Sequence, residues 1–219
     1  MKRTMMIPAL LLAAAAPCVA RAQDATADRT AETAGDAAVC DVAVWTTAQY
    51  NADRIGLVTG GLIDAMLKGA SVPEINSSEA IKSMLPAETL FDVISHSKLD
   101  QIIGRPINYI RVDKPAREAE ADRKTKARAH ASDNPCFIEV HLWLVYYQSA
   151  PFHGERIFSY WRIKDFRGPK PVSTGGYDNG QMKGFSKQDV ATATTMAKGA
   201  IVEILEKIAR KKLQAKAGG

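Results

Sequence analysis

The sequence predicts an α/β (α+β) fold: a single domain with a mixed sheet and a long antiparallel hairpin packed by amphipathic helices. Three observations carry this. Residues 136–147 and 156–166 alternate in polarity with period two, the pattern of two paired strands. CDVAVW, 40–45, is apolar on both parities, as expected of a strand inside a sheet covered on both sides. Val190, Ala193, Ala197, Ile201, Ile204, Leu205 and Ile208 form one apolar stripe at helical spacing.

The chain opens with Lys2 and Arg3, then an apolar run from Ile7 to Ala16, then Ala20-Arg21-Ala22. A basic start, an apolar centre and small residues at the end make a secretory signal peptide, cleaved after Ala22. The run is shorter than the roughly 20 residues that cross a bilayer. A lipid-bearing cysteine usually has Leu three residues before it and a small residue just before it. Cys18 has Ala15 and Pro17 there, so lipid anchoring at Cys18 is not expected. The expected organisation is a signal peptide over 1–22, a flexible leader over 23–37, one α/β domain over 38–212 and a disordered tail over 213–219. The leader, QDATADRTAETAGDA, has no large apolar group with which to order itself. The expected location is the periplasm.

Removing Lys2, Arg3 and Arg21 from the 29 basic residues leaves 26 against 24 acidic ones. That near balance gives no reason to expect nucleic acid as a partner. No later segment is apolar enough to span a membrane. Cys40 and Cys136 survive cleavage, and two cysteines in an oxidising compartment make one disulfide. Two buried free thiols or a reactive thiol are the alternatives. No metal site or cofactor is expected.

After the first strand, Ile55, Val58, Leu62, Ile63, Met66 and Leu67 recur at helical spacing, with Gly60-Gly61 inside as a close-packing point. Residues 76–103 predict two helices, with Asn76 and Glu79 as a capping box and Pro86 as the break. Leu90, Phe91, Ile94, Leu99, Ile102 and Ile103 form the stripe of the second, ended by Gly104. INYIRV, 107–112, predicts a strand. Residues 113–134 are highly charged and predict an exposed linker or solvated helix, with the basic run over 111–130 as an alternative docking site for an acidic surface. PVSTGG, 171–176, predicts a third hairpin strand, and 175–184 a turn-rich mobile loop. Ser186 with Asp189 forms a capping box for the last helix, and Phe185 staples to Val190.

Within the hairpin, Cys136, Ile138, Val140, Leu142, Leu144 and Tyr146 form one unbroken apolar face. Matching it to Ile157, Trp161 and Ile163 sets Leu142 opposite Trp161 and Tyr146 opposite Ile157. The other face then pairs Glu139 with Lys164, His141 with Arg162, and Trp143 with Tyr160. His141, Trp143, Phe158, Tyr160 and Arg162 are the candidate binding residues. Aromatic and arginine side chains are the commonest interface anchors. His141 has no serine or cysteine spaced to serve as its nucleophile, and an opposing arginine lowers its basicity. No catalytic residue is assigned.

The order strand, helices, strand, long hairpin, strand, long helix resembles the small periplasmic α/β modules of the curli-secretion lipoprotein, the penicillin-binding-protein activator lipoprotein and the TolB amino-terminal domain. It covers about 38–212 and rests on CDVAVW, on HLWLVYYQ with RIFSYWRIKDFRG, and on the closing helix. The second hairpin strand of such modules often reads apolar-x-apolar-x-Arg-apolar-x-Asp-x-x-x-Gly. Arg162-Ile163-Lys164-Asp165-Phe166-Arg167-Gly168 comes close, with its glycine one place early. The resemblance implies a non-enzymatic envelope protein that binds another protein, and it supplies no site residues. The function expected is therefore that of a periplasmic accessory protein acting through contacts with envelope proteins. A small-ligand carrier with an aromatic pocket near Trp143 and Tyr160 is the first alternative, and an unrecognised hydrolase the second.

Overall fold

Cys40–Trp45 (β1) runs parallel to both of its neighbours, which is why its two faces are apolar. The computed structural model describes residues 39–54, 77–150 and 153–213. β1 pairs on one side with Ile107–Val112 (β3) and on the other with Phe137–Ala150 (β4). Gln49–Arg54 (β2) continues along the same edge of β4. Gly154–Asp165 (β5) and Val172–Gln181 (β6) extend the sheet antiparallel, in the order β3–β1–β4–β5–β6. Among the described residues five α-helices accompany it: Ser78–Met84 (α1), Ala87–Ser95 (α2), Leu99–Ile103 (α3), Ala116–Lys124 (α4) and Val190–Leu213 (α5). This is the single mixed α/β domain that the sequence predicts.

β2 is the element the sequence hides. QYNADR has little strand character, yet β4 is 14 residues long against 6 for β1, and β2 fills the remaining edge. It is tied down by Tyr50, whose hydroxyl donates to the Leu85 carbonyl.

The main core lies between one sheet face and α1, α2, α3 and α5. Val42, Val44, Ile138, Val140, Leu142 and Trp161 meet Ile201, Ile204 and Leu205 there. α5 settles onto β5 and β6 because Gly176 and Gly180 leave room. A methyl group at Gly180 would sit 2.9 Å from Cβ of Ala200. The glycine-rich run expected to be a mobile loop is thus largely strand, shaped by helix packing.

Cys40 and Cys136 form a disulfide with Cα atoms 4.7 Å apart. They precede Asp41 and Phe137, which are register partners on adjacent parallel strands, so the two cysteines share one end of the sheet.

Helix starts differ from expectation. Ser77 caps α1, its Oγ accepting from the Ala80 amide at 3.0 Å. Asp189 caps α5 through the Thr192 amide at 2.9 Å, while Ser186 lies in a preceding 3-10 turn. Val190 is 65% exposed and Phe185 is fully buried against Tyr147, so no staple forms between them. The expected signal peptide, leader, helix at 55–67, Gly60-Gly61 pair and capping residue Asn76 lie outside the described residues, as does the tail beyond Leu213. Among the described residues no helix is long and apolar enough to cross a membrane.

Candidate functional site

The β4–β5 hairpin positions all five candidate residues. Its first half has the expected register: Glu139 opposes Lys164, His141 opposes Arg162, and Leu142 opposes Trp161. Past Leu142 the pairing slips by one, so that Leu144 meets Tyr160, Tyr146 meets Phe158 and Tyr147 meets Ile157. Trp143 is the inserted residue of a β-bulge, which re-aims the side chains that follow it. Val145 and Tyr147 enter the main core, while Leu144 and Tyr146 turn to the outer face. The expected apolar face therefore ends at Leu142. The expected Trp143–Tyr160 and Tyr146–Ile157 pairs do not form in the ladder, although the Trp143 and Tyr160 rings still meet at 5.3 Å.

His141 is not a surface residue. α4 and the segment after it fold over this end of the outer face, where Ala43, Trp45, Phe137 and Phe166 pack against Ala119. Residues 113–134 thus hold a helix that is solvated along most of its length, as expected, and they also cover the sheet through Ala119 and Ala129. Beneath it the His141 ring stacks on Trp45 at 4.1 Å, and its Nε2 lies 3.3 Å from Oε2 of Glu139. Lys164 Nζ donates to the same carboxylate oxygen at 2.8 Å and to the Asp122 carbonyl at 2.6 Å. The amides of Ala129 and His130 donate to Oε1 of Glu139. Burial opposes ionisation of Glu139, but hydrogen bonds from His141, Lys164 and the Ala129 amide outweigh it and hold the carboxyl below its ordinary range. Burial pushes the His141 imidazole down, with the Lys164 charge adding to the effect. The imidazole is therefore neutral, its Nε2–H directed at Glu139. Its loss of basicity comes chiefly from desolvation and not from the opposing Arg162. Nδ1 has no hydrogen-bond partner among the described residues.

The other four candidates share the outer face beyond this cover. Tyr160 stacks on Tyr177 at 5.0 Å and touches Trp143; Tyr146 and Phe158 meet at 5.6 Å. The Arg123 guanidinium lies 4.6 Å above the Trp143 ring. Arg162 donates to Ser173 at 3.3 Å. Phe137, under the cover, is fully buried, whereas Tyr177, at the sheet edge, is 64% exposed. Tyr146 and Tyr177 belong to this surface and were missed. The bulge moved the first, and the second sits in a run whose glycines read as turn.

Two cavities flank the Arg123–Trp143 contact. One, of about 350 Å³, lies between Trp45, His141 and Trp143 on the sheet and Ala116, Glu120 and Arg123 on α4. The other, of about 540 Å³, follows the β6 edge, from Trp143, Tyr160 and Tyr177 to Lys207 and Lys211 on α5. Among the described residues no three His, Cys, Asp or Glu side chains are grouped to hold a metal ion. What the site offers chemically is one buried neutral acceptor, a row of aromatic rings and several cations.

No family model matches the chain, and no curated protein matches it. Among solved structures it is similar to an uncharacterised protein at 10% identity and a TM-score of 0.33, over 81% of this chain and 95% of that one. It is also similar to the PelC dodecamer from Paraburkholderia phytofirmans, at 16% identity and a TM-score of 0.29, over 81% and 94% of the two chains. A variant PelC dodecamer from the same organism gives 14% identity and a TM-score of 0.27. At these scores the likenesses carry no argument about this chain.

Proposed function

We propose that this protein is a non-enzymatic accessory protein of the periplasm that works by docking another envelope protein on the outer face of its sheet. The carrying observation is the row Trp143–Tyr160–Tyr177, with Tyr146–Phe158 beside it, on a face whose other end is covered by α4. The protein supplies a lid for Phe137 and Phe166, yet Tyr177 stands mostly in water. Large aromatic patches left exposed mark interaction sites. Tyr, Trp and Arg are the side chains that anchor them. The signal-peptide pattern and the disulfide support export to an oxidising compartment. The resemblance to periplasmic modules points the same way.

A small-ligand carrier is the second reading, favoured by the 350 Å³ cavity beside the unpartnered Nδ1 of His141. A photo-reactive residue at position 177, introduced into the exported protein in cells, tests the first reading. A defined adduct with one envelope protein is expected. Its absence counts against docking.

A further inference from the structure

We infer that the cleft along the β6 edge is a binding site for a small organic anion, a carboxylate or phosphate carried on a planar scaffold. The cleft shares Trp143, Tyr160 and Tyr177 with the face proposed to dock a protein, but the inference rests on the cations around it and not on that reading. Cations reach the cleft from three elements: Arg123 from α4, Arg162 from β5, and Lys207, Lys211 and Lys212 from α5. The carboxylate lining it is that of Asp178, which is already paired with Lys207 at 2.7 Å. Among the described residues Lys211 and Lys212 make no ion pair, and Arg123, stacked over Trp143, has as its ion-pair partner only Glu120, at 4.0 Å.

Basic residues in the last turn of a helix are often there for the helix dipole. That accounts for Lys211 and Lys212, but not for two arginines arriving at the same cleft from β5 and α4. With Lys207 balanced by Asp178, gathering the other four cations around one cleft is unfavourable, and a bound anion relieves it. Guanidinium groups suit the fork of a carboxylate or phosphate.

The floor selects for more than charge. Tyr160 and Tyr177 are stacked there, with Tyr177 exposed, and Trp143 stands beside them. Their rings offer a planar ligand a stacking surface. Gly175 adds a second pointer. Gly176 and Gly180 are explained by α5, whose side chains lie within 3.3 and 2.9 Å of a Cβ placed on them. A Cβ on Gly175 would meet nothing closer than 3.9 Å. Packing does not require glycine there, and its bare backbone leaves the cleft open to a ligand.

Calorimetric titration of the purified, disulfide-bonded protein at low salt tests this with three probes: phenyl phosphate, benzene-1,3,5-tricarboxylate and inorganic phosphate. One of the aromatic anions should bind saturably and at least about tenfold more tightly than inorganic phosphate. Which of the two binds better separates a phosphate ligand from a carboxylate one. The double variant Lys211→Gln, Lys212→Gln should lose about tenfold in affinity and melt like the parent. Arg210→Gln, on the same helix but outside the cleft, should bind like the parent. The inference is overturned if neither aromatic anion saturates, if inorganic phosphate binds as well, or if the double variant and Arg210→Gln behave alike.

Discussion

Lys164 Nζ lies 2.8 Å from Oε2 of Glu139, and both side chains are closed off from water beneath α4. An ion pair withdrawn from solvent is costly to break from one side, because the remaining charge is left without a counter-ion. Lys164→Met should therefore lower unfolding stability by about 3–5 kcal/mol. Lys164→Met with Glu139→Gln should recover much of it. Denaturant titration measures both. A loss under about 1 kcal/mol in the single variant would mean that the pair is open to water.

Stability should fall with acid over two successive pH ranges. The His141 imidazole is held below its ordinary value of 6.5 by burial, so the unfolded chain takes up that proton first. Stability from this residue is present above about pH 6.5 and is lost as pH falls below it. Glu139 is held below its ordinary 4.5, so its contribution is lost further down, as pH falls through the folded value. Melting temperature should be flat between about pH 8 and 7 and should decline below about 6.5. In His141→Gln the first part of the decline should vanish. An unchanged profile in that variant would remove His141 from the explanation.

The disulfide spans 96 positions. In the chain-entropy account a loop of that size is worth about 4–5 kcal/mol. Reduction under native conditions should cost most of that amount. Labelling of the unreduced, denatured protein should find neither Cys40 nor Cys136 free, and two labelled thiols would rule the bond out.

Processing is read most directly from mass. The exported form should begin at Gln23. A product beginning at a lipid-modified Cys18 would replace the soluble periplasmic reading with an anchored one.

The sequence shows the sheet more plainly than the site. β1 is apolar on both parities and is interior; Glu139, His141 and Leu142 have the partners that polarity matching gives them. The bulge at Trp143 could not be read, because LWLVYY is apolar or aromatic on both parities and nothing polar marks the change of phase. β2 was missed because its polar side chains give no alternation. The burial of Glu139, His141 and Lys164 was hidden for a different reason. Their cover is a charged segment whose backbone amides and carbonyl, not its side chains, satisfy the buried groups. Tyr177 was obscured by glycines that serve helix packing.

If the aromatic outer face docks an envelope protein, a probe placed on it should capture that protein. The measurement is the yield of photo-crosslinked adduct from position 177 in exporting cells, against the yield from position 190 at the exposed start of α5. Docking should give one defined adduct from 177, none from 190, and loss of the 177 adduct when Trp143→Ala is added. That variant should leave the protein folded, since Trp143 is only partly buried. Equal yields from the two positions, or a 177 adduct indifferent to Trp143→Ala in the folded protein, would contradict it.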